Sequence, residues 1–144
     1  MPTSIQSDPF NLQRFVDAQD SVYPQVLAEL RAGAKRSHWM WFIFPQIQGL
    51  GSSPMAEKYA ISSREEAAAY LAHPVLGQRL RECTALVLHT EGQTLDQILG
   101  YPDDLKFRSS ATLFAYAAPD DLVFMAVLQK YFEGEPDPAT LSRL

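Results

Sequence analysis

The run Lys35-Arg36-Ser37-His38-Trp39-Met40-Trp41-Phe42-Ile43-Phe44-Pro45-Gln46 gathers both tryptophans, a histidine and two cations into one short stretch. Gly49-Leu50-Gly51-Ser52-Ser53 follows it closely. An indole offers a wall against which a flat ligand can stack. A histidine exchanges protons near neutral pH, and lysine and arginine neutralise anionic groups. Trp39 and Trp41 point in different directions on any regular element, so one can sit in a core while the other faces a ligand. The plainer reading makes both tryptophans core anchors and His38 a boundary residue.

Glycines let backbone amides approach an anion, and serines add donors. The Gly49-Leu50-Gly51-Ser52-Ser53 spacing nevertheless matches no known phosphate loop. No Gly-Lys-Ser/Thr follows it, and no strand precedes it as a dinucleotide fingerprint requires. As a turn, the segment is fully accounted for.

A second polar cluster is Lys106-Phe107-Arg108-Ser109-Ser110-Ala111-Thr112-Leu113-Phe114. At helical pitch Phe107, Ala111 and Phe114 face the core. Lys106, Ser109 and Ser110 fall on another side, and Arg108 with Thr112 on a third. A cation in a first turn opposes the helix dipole, so Lys106 calls for a partner. That partner is Asp103 or Asp104 in the plain reading, and a bound carboxylate or phosphate in the functional one. The pairs Glu65-Glu66 and Asp103-Asp104 stand where helix starts attract negative charge, and are assigned to capping. His38, His73 and His89 lack the i, i+4 spacing of a zinc site, and the single cysteine, Cys83, excludes a thiolate cage and an internal disulfide. Neither a metal nor a cofactor is expected.

The elements that must position these residues read as helices throughout. A first helix runs to about Gln19, with Asp8 or Asn11 as its cap. A second is capped near Asp20 or Ser21, carries Pro24 in its first turn and stops at Gly33. One or two turns around Trp39–Ile43 end at Pro45, and residues 45–54 are loop. A short piece spans Pro54 to about Tyr59. Ser63–Glu66 and Thr94–Gln97 read as capping boxes. The first heads Arg64–Ala72, and the second a short helix closed by Gly100. Between them, Leu76, Leu80, Cys83 and Val87 form a buried face, with Pro74 in that helix's first turn. Asp103 or Asp104 caps the next helix. The last long helix turns Leu122, Met125, Ala126 and Phe132 inward. No segment alternates with period two, so the expected fold is all-α, a multi-helix domain with one long irregular Trp/Pro/Gly-rich loop region.

The 144 residues, 47% hydrophobic and 20% charged, suit a single globular domain over 1–144, with 1–10 a loose arm and 134–144 an irregular tail. A net charge of −5 argues against nucleic acid as a partner. No run is long and apolar enough to span a bilayer, and the N-terminal residues lack a signal-peptide pattern, so a cytoplasmic location without membrane partners is expected. A homo-oligomer is compatible with this composition.

Lys35 to Gln46, Gly49-Leu50-Gly51 and Tyr59-Ala60-Ile61 together resemble a bacterial family, domain-of-unknown-function family 1810, whose members are often mislabelled "calpastatin". The likeness extends to Leu12-Gln13-Arg14-Phe15-Val16-Asp17-Ala18-Gln19, His73-Pro74-Val75-Leu76-Gly77 and Arg79-Leu80-Arg81-Glu82-Cys83. It also takes in Asp103-Asp104-Leu105-Lys106-Phe107-Arg108-Ser109-Ser110 with Thr112-Leu113-Phe114. The resemblance implies a compact, mostly helical fold and supports the choice of site. It implies no activity.

The resulting expectation is a pocket for a small anionic, nucleotide-like ligand, with NAD-derived compounds such as ADP-ribose in that class. Trp39 or Trp41 stacks on it, Lys35, Lys106 and Arg108 neutralise it, and Gln46 and Ser109 orient it. His38 is the candidate catalytic acid or base should a reaction occur. The rival expectation is a non-catalytic interaction module, in which the tryptophans and Phe44 form an apolar surface patch.

Overall fold

A computed structural model describes residues 7–144, and the arm expected over residues 1–10 lies mostly outside the described residues. The described chain is all-α, with ten helices and a single isolated parallel bridge between Ile47 and Ile61.

Helix α1 (Gln13–Asp20) begins where the Asp8 carboxylate accepts from the amides of Leu12 and Gln13 at 2.8 and 3.0 Å. Helix α2 (Tyr23–Arg31) holds Pro24 in its first turn, but neither Asp20 nor Ser21 caps it. Val22 stands at that position, and Asp20 instead pairs with Arg79 at 3.0 Å. After Gly33, at φ +69°, the chain runs to the single turn α3 (Met40–Ile43).

The loop beyond α3 leaves the core at Ile47 and returns at Ile61. Gln48 N–H donates to Ile61 O at 2.8 Å, and Ile61 N–H donates to Gln46 O at 2.9 Å. Between these points lies the short α4 (Pro54–Lys58), capped by the Ser53 hydroxyl.

In α5 (Arg64–Ala72), Ser63 accepts from Glu66 N–H, as a capping box requires. Its other half is not formed. Glu66 is buried, and its carboxylate accepts from Ser62 and from Arg14 at 3.1 Å. A carboxylate removed from water requires charge-bearing or hydrogen-bonding partners, and Arg14 reaches it from α1. Helix α6 (Leu76–Leu88) buries Leu76, Leu80, Cys83 and Val87 as expected. Pro74 lies ahead of it, because the His73 imidazole accepts from Val75 and Leu76 N–H and sets the start later. The Thr94–Gln97 box is complete in both halves and opens α7 (Leu95–Leu99) before Gly100.

Helix α8 (Asp103–Ala117) is the centre of the fold. It packs against α5, α7, α9 (Leu122–Phe132) and α10 (Pro138–Leu141). Enclosed on several sides, it buries Ser109, Ser110 and Thr112 together with Phe107, Ala111 and Phe114. In α9 the inward face differs from expectation. Phe124, Val127 and Leu128 are buried, whereas Leu122 is 74% exposed and Met125, Ala126 and Phe132 are half-buried. This helix is apolar nearly all round, so spacing alone supports two stripes, and packing against α6 and α8 selects one. The tail is also more ordered than expected. Asp137 caps α10, and Thr140 is fully buried.

Candidate ligand-binding site

The local frame is built on Glu29, which falls on the buried stripe of α2 beside Val26 and Leu30. Its carboxylate accepts from the amides of Arg36 and Ser37, the Ser37 hydroxyl, the Gln25 amide and the indole N–H of Trp39. Burial pushes its pKa up, but the Ser37 hydroxyl, the Arg36 amide and the other donors outweigh that and hold it at about 2. The carboxylate therefore stays charged and folds residues 35–39 around itself. Trp39, only 1% exposed, packs beside Phe44 in the core and is closed to any stacking ligand.

The segment that Glu29 fixes carries Lys35 to α8. Lys35 N–H donates to Ile98 O at 2.7 Å, and Lys35 Nζ donates to Ser37 O at 2.6 Å. Nζ also lies 2.8 Å from Asp103 Oδ2 and above the Trp39 ring. Lys106, one turn along α8, approaches the other oxygen of the same carboxylate at 3.8 Å. Lys35 and Lys106 thus converge, and Asp103, assigned to capping by position, joins them.

Lys106 Nζ also lies over the Trp41 ring, 5.6 Å from its centroid. Trp41 is half-buried, and with Gln46, Ile47, Gly49, Gly51, Ala56 and Tyr59 it lines a cleft of about 10 Å³, the space of one water. Gly49 and Gly51 also border a wider depression of about 350 Å³, lined in addition by Gln48, Glu57, Ala60 and Arg143.

The remaining predicted residues lie elsewhere. Arg108 donates to the carbonyls of Glu135 and Pro136 and covers the Phe132 ring. The Ser109 hydroxyl donates to Asp137 at 3.0 Å. Both are engaged by the C-terminal segment, Arg108 through the carbonyls of Glu135 and Pro136 and Ser109 through the Asp137 carboxylate. His38 is exposed, and its side chain makes no hydrogen bond among the described residues.

Sequence reasoning missed three participants. Glu29 was visible as a charge at i+3 from Val26 on an apolar stripe. Asp103 was visible only as a partner for Lys106, not for Lys35. Arg143 gave no signal, since nothing in its spacing ties it to Gly49. Among the described residues no group of three or more His, Cys, Asp or Glu side chains could hold a metal ion, and no helix is long and apolar enough to cross a membrane.

The family model described as "Protein of unknown function (DUF1810)" matches residues 9–144. The chain is also similar to the conserved hypothetical protein Rv1873 from Mycobacterium tuberculosis, known from a crystal structure at 1.38 Å. The two share 57% identity with a TM-score of 0.94, over 95% of this chain and 98% of that one. No curated protein matches the sequence.

Proposed function

The chain belongs to the DUF1810 family of proteins of unknown function, and from that premise we propose that it binds a small anionic ligand where the first turn of α8 meets the loop after α3. The observation that supports this reading is the sharing of one carboxylate by two ammonium groups. Lys35 holds Asp103 at 2.8 Å, and Lys106 is left at 3.8 Å with a side chain 31% exposed. A lysine so weakly paired, beside a half-buried indole, is suited to an anionic group attached to a flat, nucleotide-like body. Trp41 supplies the wall and Gln46 an amide at its side, while Trp39 and Lys35 hold the frame. Arg108 and Ser109 act on the C-terminal segment and have no part in this reading.

The test is a thermal-shift and fluorescence panel of nucleotides, NAD, ADP-ribose, sugar phosphates and carboxylates. At a hundredfold over its dissociation constant a ligand should add about 2–3 kcal/mol to stability. The shift should disappear in Lys106→Ala, and the fluorescence change should disappear in Trp41→Phe. Silence across the panel would sink the proposal.

A second reading has its own observation. Trp39 and Phe44 are buried, so they form no surface patch, but Tyr101, in the turn just before α8, and Leu105, in its first turn, are 76% and 48% exposed. A protein partner or second copy docking there would make Trp41 emission depend on protein concentration and not on ligand.

A further inference from the structure

The 350 Å³ depression beside the Trp41 cleft is bordered by two glycines and three polar side chains, Gln48, Glu57 and Arg143. Arg143 comes from the turn after α10 and reaches back over the loop between Ile47 and α4. Its guanidinium lies so close to Gly49 that a Cβ there would overlap it. Gly49 is required by its φ of +95°, and the absence of a side chain there lets the arginine lie against the loop. Among the described residues the Arg143 guanidinium has neither a carboxylate within ion-pair distance nor a hydrogen-bond acceptor. The same holds for the backbone amides of Gly49, Leu50, Gly51 and Ser52, which donate to no protein acceptor.

A planar fork of N–H donors beside unpaired backbone amides, at the edge of a cavity of small-molecule size, is what an oxyanion needs. Glu57, on the same rim but unpaired with Arg143, can accept from a hydroxyl or ammonium group on the same molecule. We propose that this depression is an oxyanion subsite. Arg143 and the backbone of Gly49 and Gly51 bind the phosphate or carboxylate terminus of a small molecule that also carries a hydrogen-bond donor for Glu57. The inference rests on the anionic-ligand reading above and extends it: Gly49 and Gly51 line both the depression and the one-water cleft at Trp41, so a molecule with its charged end at Arg143 lies next to Trp41. The C-terminal segment, held on α8 by Asp137, thereby becomes part of the site.

The experiment is an amide NMR titration of the full chain with inorganic phosphate and, separately, acetate, against sodium chloride at matched ionic strength. Saturable shifts of the Gly49 and Gly51 amides are expected with phosphate, acetate or both, and which one acts identifies the terminus. Arg143→Gln should weaken the response at least tenfold, and Arg143→Lys should weaken it less. Because Arg143 is exposed, neither change should alter far-UV circular dichroism. Lys106→Ala should leave the phosphate response intact while removing the nucleotide shift, so each reading fails on its own result. Equal shifts with chloride, or an undiminished response in Arg143→Gln, would overturn the subsite.

Discussion

Trp39 donates its indole N–H to Glu29 at 3.0 Å, and through this one bond the largest buried side chain is tied to a buried carboxylate. Among the described residues no cation pairs with that carboxylate, and five donors hold its charge. Charged, it organises the segment that delivers Lys35 to Asp103. Neutral, it would release it.

Stability should therefore respond to acid through Glu29. Its pKa is lowered from 4.5 to about 2, so the folded state prefers the ionised form more than the unfolded chain does. The stabilisation is complete above pH 4.5 and disappears as pH falls through about 2. The shift corresponds to roughly 3 kcal/mol, to order of magnitude. Glu29→Gln should be less stable than wild type at pH 7, with the difference narrowing below pH 4.5. Urea titrations across that range measure it, and a constant difference would refute the assignment.

The two lysines on Asp103 should have unequal effects. Lys35 is 7% exposed at its side chain and makes two polar contacts, so Lys35→Met should cost roughly 2–3 kcal/mol. Lys106, longer in its contact and 31% exposed, should cost under about 1 kcal/mol when changed to Met. Chemical denaturation of the two single variants and the double variant measures both costs and their coupling. A larger loss at Lys106 would mean that the carboxylate is shared the other way round.

Asp137 holds the C-terminal segment. It accepts from the Ser109 hydroxyl at 3.0 Å and from the amide and hydroxyl of Thr140 at 3.2 and 2.6 Å. Asp137→Ala should cost about 1–3 kcal/mol and accelerate hydrogen exchange at the amides of α10 first. Uniform acceleration over α8 and α9 instead would show that the segment opens only with the whole fold.

Cys83 should be inert while the protein is folded. It is fully buried, and loss of solvation pushes its thiol up to about 12, against a smaller lowering by the Tyr23 hydroxyl. At pH 8 its thiolate fraction is roughly a thousandfold below that of a free thiol, so alkylation by iodoacetamide should wait on unfolding. Native-state labelling at the rate of a free cysteine would contradict this.

Local signals in the sequence were reliable wherever a single helix decides the outcome. The Thr94–Gln97 box, the α6 stripe from Leu76 to Val87 and the span of α5 all depend on residues within a few positions of one another. They formed as read. Choices made by tertiary packing were not legible. Glu66 left its cap because Arg14 was within reach, and α9 turned Phe124 inward instead of Leu122 because two other helices set its rotation. The same holds at the site. The Lys106–Asp103 pair is local and was readable, but Lys35 meets Asp103, and Arg143 meets Gly49, only through the folded chain.

The return of Ile61 to Ile47 has a consequence for how such a protein can change over time. The excursion between them starts and ends at one place in the core, so its interior can vary in length without moving any helix of the central scaffold. Lengthening such a closed segment costs little, about 0.6 kcal/mol per doubling of its residues. Residues 48–60 are thus where insertions should be tolerated and new ligand preferences acquired, while the helices around α8 stay constrained. A library with random insertions restricted to residues 50–53 should yield mostly folded members, and the same insertions placed within α8 should yield almost none.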